Sequence, residues 1–165
     1  MEQPVQRIPL SGRPDNIAIL EVLENLTTEF ARNPTVYRAA LDIIGLTRNN
    51  DQRMQVDRLT RFVREKMVYV QDPIGAEFVT QPDILLQQIA RRGYGQGDCD
   101  DHVLLLNSLL GAVGLETRFA GVKLPKSPIF NHVVSNVKLD GKWYEIDPCS
   151  KRGTLLVFTE RLTIK

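Results

Sequence analysis

Apolar residues at Ile19, Leu20, Leu23, Leu26 and Phe30 recur at three- and four-residue steps. That is the period of a helix with one buried face. Asp15 stands ahead of the run as its cap, and "RNP" at 32–34 ends it. A second helix is predicted over residues 35–46. A third starts after Asn50, with Met54, Leu59, Phe62, Val63 and Met67 as its stripe. "VYVQDP", residues 68–73, reads as a short strand-like exit, and "IGAEFVTQPD" as a loop. Pro82 opens another helix over 83–92, followed by a glycine-rich break, "RRGYGQGD". Residues 99–113 are then apolar on almost every side, as in a helix buried all round, and Gly114 supplies its stop.

Beyond Gly114 the period changes to two. "ETRFAGVKL", "NHVVSNVKL" and "KWYEID" alternate, and "TLLVFTERLTI" supplies a last strand. "DG" at Asp140 and Gly141 is a hairpin turn between the second and third of these. Helices first and an antiparallel sheet afterwards is the α+β order, with the central helix packed on the sheet. The expected organisation is an extended arm over 1–15 and one domain over 16–165, whose helical extension covers 16–55.

Composition adds boundaries. The chain has 165 residues, enough for one domain with its own core. A net charge of +1 gives no general field to attract nucleic acid or anionic lipid. No apolar run approaches the ~20 residues of a membrane span. The start of the chain lacks the apolar centre of a signal peptide, so a cytoplasmic protein is expected. Two cysteines, Cys99 and Cys149, are too few for a disulfide framework, and both are expected to be free thiols.

The chemistry concentrates around "GQGDCDDHVLLL". Cys99 opens the central helix, where unpaired N–H groups and the helix dipole favour an anion. Those influences are expected to offset the acids beside the thiol. Asp98 and Asp100 suit a helix start as caps. His132 lies on a predicted strand, and Asp147 ends the next one. Pairing about the "DG" turn sets Leu139 opposite Lys142, Lys138 opposite Trp143 and Val134 opposite Asp147. His132 then falls diagonally within reach of the carboxylate. Thiol, imidazole and carboxylate are the parts of a nucleophile, its base and the group that orients the base.

"GDCDDHVLLLNSLLGAVGLETRFAGV" followed by "NHVVSNVKLDGKWYEIDPC" resembles the core of the transglutaminase-like superfamily. "VYVQDP" and "TQP" resemble its upstream segment. The resemblance covers residues 58–149 and leaves the first 55 unmatched. Cys149 departs from the family's usual Thr after "DP". The resemblance implies a papain-like α+β fold with Cys99 as nucleophile, His132 as general base and acid, and Asp147 as orienting carboxylate. It implies thiol acyl chemistry on protein or peptide amides, with a cysteine protease or amidohydrolase first and a crosslinking transglutaminase as an alternative. No cofactor and no metal are expected. Gln81 and Gln96 are candidates to donate to the oxyanion beside the Cys99 N–H, with Gln81 ahead. Such domains also occur in bacteriophage genomes; if this chain is phage-encoded, a virion-associated place is the alternative to the cytoplasm.

Two rivals remain at this level. Cys99, His102, His132 and Cys149 are ligand types for a structural zinc, although one C-x-x-H pair is a weak motif and zinc leaves Asp147 unexplained. His102 is otherwise expected to pack or cap, and Trp143 to line core or pocket. The second rival is a structural or interaction protein that reuses the fold, with the N-terminal helices as a partner-binding surface.

Overall fold

A computed structural model of the chain describes residues 7–9, 16–45, 51–73, 78–122, 131–150 and 157–158. A short strand, β1 (Arg7–Pro9), precedes three helices: α1 (Asn16–Phe30), α2 (Pro34–Ile44) and α3 (Gln52–Lys66). Asn33 caps α2, its side chain accepting from the N–H groups of Thr35 and Val36, with Pro34 at the first helical position. Asp51 caps α3 through the Met54 N–H. The predicted second helix therefore stops two residues early, at Ile44; Leu46 and Asp15 lie outside the described residues.

Short strands and one helix follow: β2 (Met67–Tyr69), β3 (Phe78–Thr80), α4 (Pro82–Arg92) and β4 (Gly95–Gly97). β1 pairs antiparallel with β3, and β2 pairs parallel with β4. Sequence reading misses these pairings. It places residues 78–80 in a loop, 95–97 in a glycine break and 7–9 in an unpaired arm. Three-residue strands are too short to show alternation, and "GQG" carries almost no side chains to alternate.

The long elements follow the sequence pattern. α5 (Cys99–Ala112) leads into β5 (Thr117–Val122), β6 (His132–Leu139), β7 (Lys142–Ile146) and β8 (Val157–Phe158). These four strands form one antiparallel sheet in sequence order. Leu139 pairs with Lys142 and Lys138 with Trp143, the register expected from the turn. Asp140 and Gly141 both hold positive φ, 51° and 76°, as a two-residue hairpin of this twist requires.

α5 is the axis of the molecule. Every residue from 100 to 110 on it is buried. Leu105, Leu106, Leu109 and Leu110 enter the larger core with Phe30, Val36, Leu59, Val63, Val137 and Ile146. Val103 and Leu104 join a second cluster with Leu23, Val79, Phe119 and Val133. The helix thus lies between α1–α3 on one side and β5–β6 on the other. Each fully buried leucine contributes about 1.5–3 kcal/mol from burial. Two polar contacts fix its position along the sheet. The Asn107 Oδ1 accepts from the Ser135 hydroxyl on β6, and Asn107 Nδ2 donates to the Arg118 carbonyl on β5. No helix among the described residues is long and apolar enough to cross a membrane.

Candidate active site

The N-terminus of α5 is built by its acids. Asp98 is the N-cap and accepts from the Asp100 and Asp101 N–H groups, while Asp101 accepts from the Asp98 N–H in a capping box. Asp101 also accepts from the Thr80 N–H at 2.6 Å, tying the helix start to β3. Gly97 is required here, because a Cβ at that position would overlap the Asp101 side chain. The acids around the cysteine are therefore structural first. The cap engages the N–H groups of the second and third helical residues and leaves that of Cys99, the first, outside it.

The Cys99 thiol is half-buried and free. Its sulfur lies 3.7 Å from Asp100 Oδ1 and faces the backbone N–H of Val133, the residue after His132. Burial, then Asp100 and Asp98, hold its pKa well above the ordinary thiol value, with the Val133 N–H opposing them. This corrects the sequence expectation that the helix start offsets the acids. The cap spends helix N–H groups on Asp98, and burial outweighs the remainder. The thiol therefore rests protonated and needs a base.

His132 begins β6, and Asp147 follows the last residue of β7. His132 Nε2 lies 2.9 Å from Asp147 Oδ2, with both side chains partly shielded from water. The other oxygen, Oδ1, accepts from the Cys149 N–H at 2.9 Å. Burial raises the Asp147 carboxyl, but hydrogen bonding and charge from His132 and the Cys149 and Ser150 N–H groups outweigh it, so its pKa falls below the ordinary value. An ionised Asp147 accepts from Nε2–H, which leaves Nδ1 as the basic nitrogen of a neutral imidazole.

The other candidates are placed as follows. Gln81 is the residue before α4, next to Thr80, and its side chain makes no capping bond. Gln96 lies on β4 opposite Val68, with Arg92 Nη2 donating to its Oε1 at 3.5 Å. His102 is 2% exposed and donates Nδ1–H to the Asp98 carbonyl at 2.7 Å. That is the packing and capping role expected for it. The zinc set is not assembled among the described residues. The close donor group there is Asp98, Cys99 and Asp100. Trp143 carries the Arg118 guanidinium 3.8 Å from its ring centre.

Two residues escape the sequence reading. Tyr69, half-exposed on β2, has its ring 6.0 Å from that of His102. Its phenol is pushed up to about 12 by burial, then by Cys99, Asp98, Cys149 and Asp100, so it keeps its proton at neutral pH. Arg64 on α3 donates from Nε and Nη2 to the Asp147 carbonyl. The pattern "VYV" carries a faint signal for the first; nothing in the sequence marks the second.

Fold and site together define a papain-like α+β core, with a cysteine at a buried helix start against an antiparallel sheet. The transglutaminase-like superfamily model matches residues 43–148, and the chain belongs to that family. The match starts 15 residues earlier than the sequence resemblance, taking in α3. Among solved structures, the chain is similar to a "putative cysteine protease" from Cytophaga hutchinsonii at 16% identity and a TM-score of 0.55. That likeness covers 88% of this chain and 46% of the other, so the chain spans about half the length of that relative. No curated protein matches this sequence at a significant level.

Proposed function

We propose that Cys99, His132 and Asp147 act as a thiol triad that cleaves amide bonds of a protein or peptide, as a cysteine protease or amidohydrolase. The observation that carries this reading is the His132 Nε2–Asp147 Oδ2 contact of 2.9 Å at the end of the strand pair whose Val133 N–H faces the Cys99 sulfur. Family membership and the neighbour's fold support thiol chemistry in general.

Nδ1 of His132 takes the thiol proton as the sulfur attacks the amide carbonyl, forming the C–S bond. The carbonyl electrons move to oxygen. The Cys99 N–H, left outside the cap, and the Gln81 carboxamide are the donors for that oxyanion. Nδ1–H then protonates the leaving amine as the C–N bond breaks, giving a thioester. Water, deprotonated by the same nitrogen, releases the acid and restores the thiol. Asp147 stays ionised throughout and stabilises the imidazolium. An amine in place of water would give transamidation by the same steps.

The test is labelling of the purified protein with an electrophilic thiol probe, followed by a peptide-library digest read by mass spectrometry. Labelling at Cys99 and new peptide termini that vanish in Cys99→Ala are expected. Cleavage that persists in Cys99→Ala would sink the reading.

A further inference from the structure

We propose that Arg64 is a positioning residue for the Asp147 carboxylate, a role that rests on the triad reading above. Pairing of β7 with β6 ends at Ile146 opposite Ser135. Asp147 is therefore beyond the ladder that sets the backbone of its strand, although its side chain must meet His132. Its carbonyl is taken up instead by Arg64, through Nε at 3.3 Å and Nη2 at 2.9 Å, and by the Ser150 N–H at 3.3 Å. Its carboxylate is held by the Cys149 N–H and His132. Among the described residues, the contact to its backbone from a distant element is that of Arg64, 83 residues away in sequence.

Arg64 can act as a fixed point because its helix is fixed. The preceding residue, Val63, is fully buried, as are Val56 and Leu59 on the same helix. Arg64 is itself partly buried, which disfavours its charge, while Asp147 and Cys149 favour it. A guanidinium gives two donors in a rigid plane toward one carbonyl, which limits rotation of the Asp147 peptide. Displacement of a catalytic group by about 1 Å can cost on the order of 100-fold in rate. Without the fork, the carboxylate would sample positions away from His132, and the imidazole would lose its orientation as base.

A purely structural staple would lower stability and leave the triad's chemistry to follow stability alone. A double-mutant cycle separates the two. The probe is iodoacetamide alkylation of Cys99 in the full chain across a pH series, with thermal melts of the same variants. Arg64→Ala is expected to slow Cys99 alkylation at neutral pH by about tenfold in the parent. In the Asp147→Asn background it is expected to add no further slowing, while its loss of melting temperature persists in both. Arg64→Lys, which keeps the charge and one donor nitrogen without the planar fork, is expected to fall between parent and Arg64→Ala, and carries the cycle if Arg64→Ala does not fold. Equal slowing in both backgrounds, or none in the parent, overturns the positioning role. His132→Ala distinguishes the two levels. If it leaves Cys99 alkylation unchanged, the triad reading fails and the inference with it. If it slows alkylation while neither Arg64 variant does, the inference alone fails.

Discussion

Cys99 sits among charges that oppose its anion, Asp100 and Asp98 foremost. Cys149 is in the same position: burial, then Asp147, Asp98 and Asp100, hold its thiol well above the ordinary value, with Arg64 opposing. Reactivity must then separate the two thiols by access to a base. Iodoacetamide is expected to alkylate Cys99 faster than Cys149 near neutral pH. His132→Ala should slow the Cys99 reaction, and His102→Ala should do so less, because its Nδ1–H is committed to the Asp98 carbonyl. Mass-resolved alkylation at several pH values checks this; a Cys99 profile that shifts with His102 and ignores His132 would reassign the base. At this scale the sequence is legible where local rules act. Capping acids, the helix-start cysteine and the His–Asp diagonal follow from spacing and one turn type. The height of the thiol pKa is not legible, because it depends on burial. Arg64 is not legible either, because a side chain bonded to a remote carbonyl leaves no pattern.

At the scale of elements, the start of α5 trades stability for its close-set acids. Burial, with charge from Asp100 and Asp101, pushes the Asp98 carboxyl up to about 8. Burial pushes Asp101 up to about 7, against the hydrogen bonds from Thr80 and Asp98. Both folded values exceed the ordinary 3.8. Between that value and 7–8 the folded state holds protons that the unfolded chain has released. These two groups therefore stabilise the fold most at the acid end of the window, and lose that contribution as pH rises through 7–8. Asp147 acts in the opposite sense at lower pH, where protonation removes its pairing. Urea midpoints are expected to fall between pH 5 and 8.5. Asp98→Asn, which keeps an N-cap oxygen, should flatten that slope. A parent midpoint that rises across the window would refute this. Gly97→Ala is expected to cost about 1–3 kcal/mol or more through overlap with Asp101, read as a drop in urea midpoint. The elements themselves divide by length. α5 and the β6–β7 hairpin are readable because period and turn agree over many residues. β1, β3 and β4 are decided by partners far along the chain, a tertiary effect that three residues cannot encode.

For the whole molecule, burial of α5 on all sides has a consequence for motion. A helix with one wet face can fray or open locally while the rest of the fold stands. α5 has no such route: opening residues 100–110 would separate α1–α3 from β5–β6 and break the Asn107 links to both strands. Its amides should therefore exchange with deuterium only through global unfolding, at rates that track the stability of the whole chain. Exchange read by mass spectrometry or NMR is expected to place α5 among the slowest segments, with α4, whose last turn is exposed, well ahead of it. Faster exchange in α5 than in α4 would contradict this. Cys99, the nucleophile proposed above, then rides on the part of the protein that breathes least. A substrate of the proposed triad would then meet a sulfur whose helix holds still while the rest of the chain fluctuates.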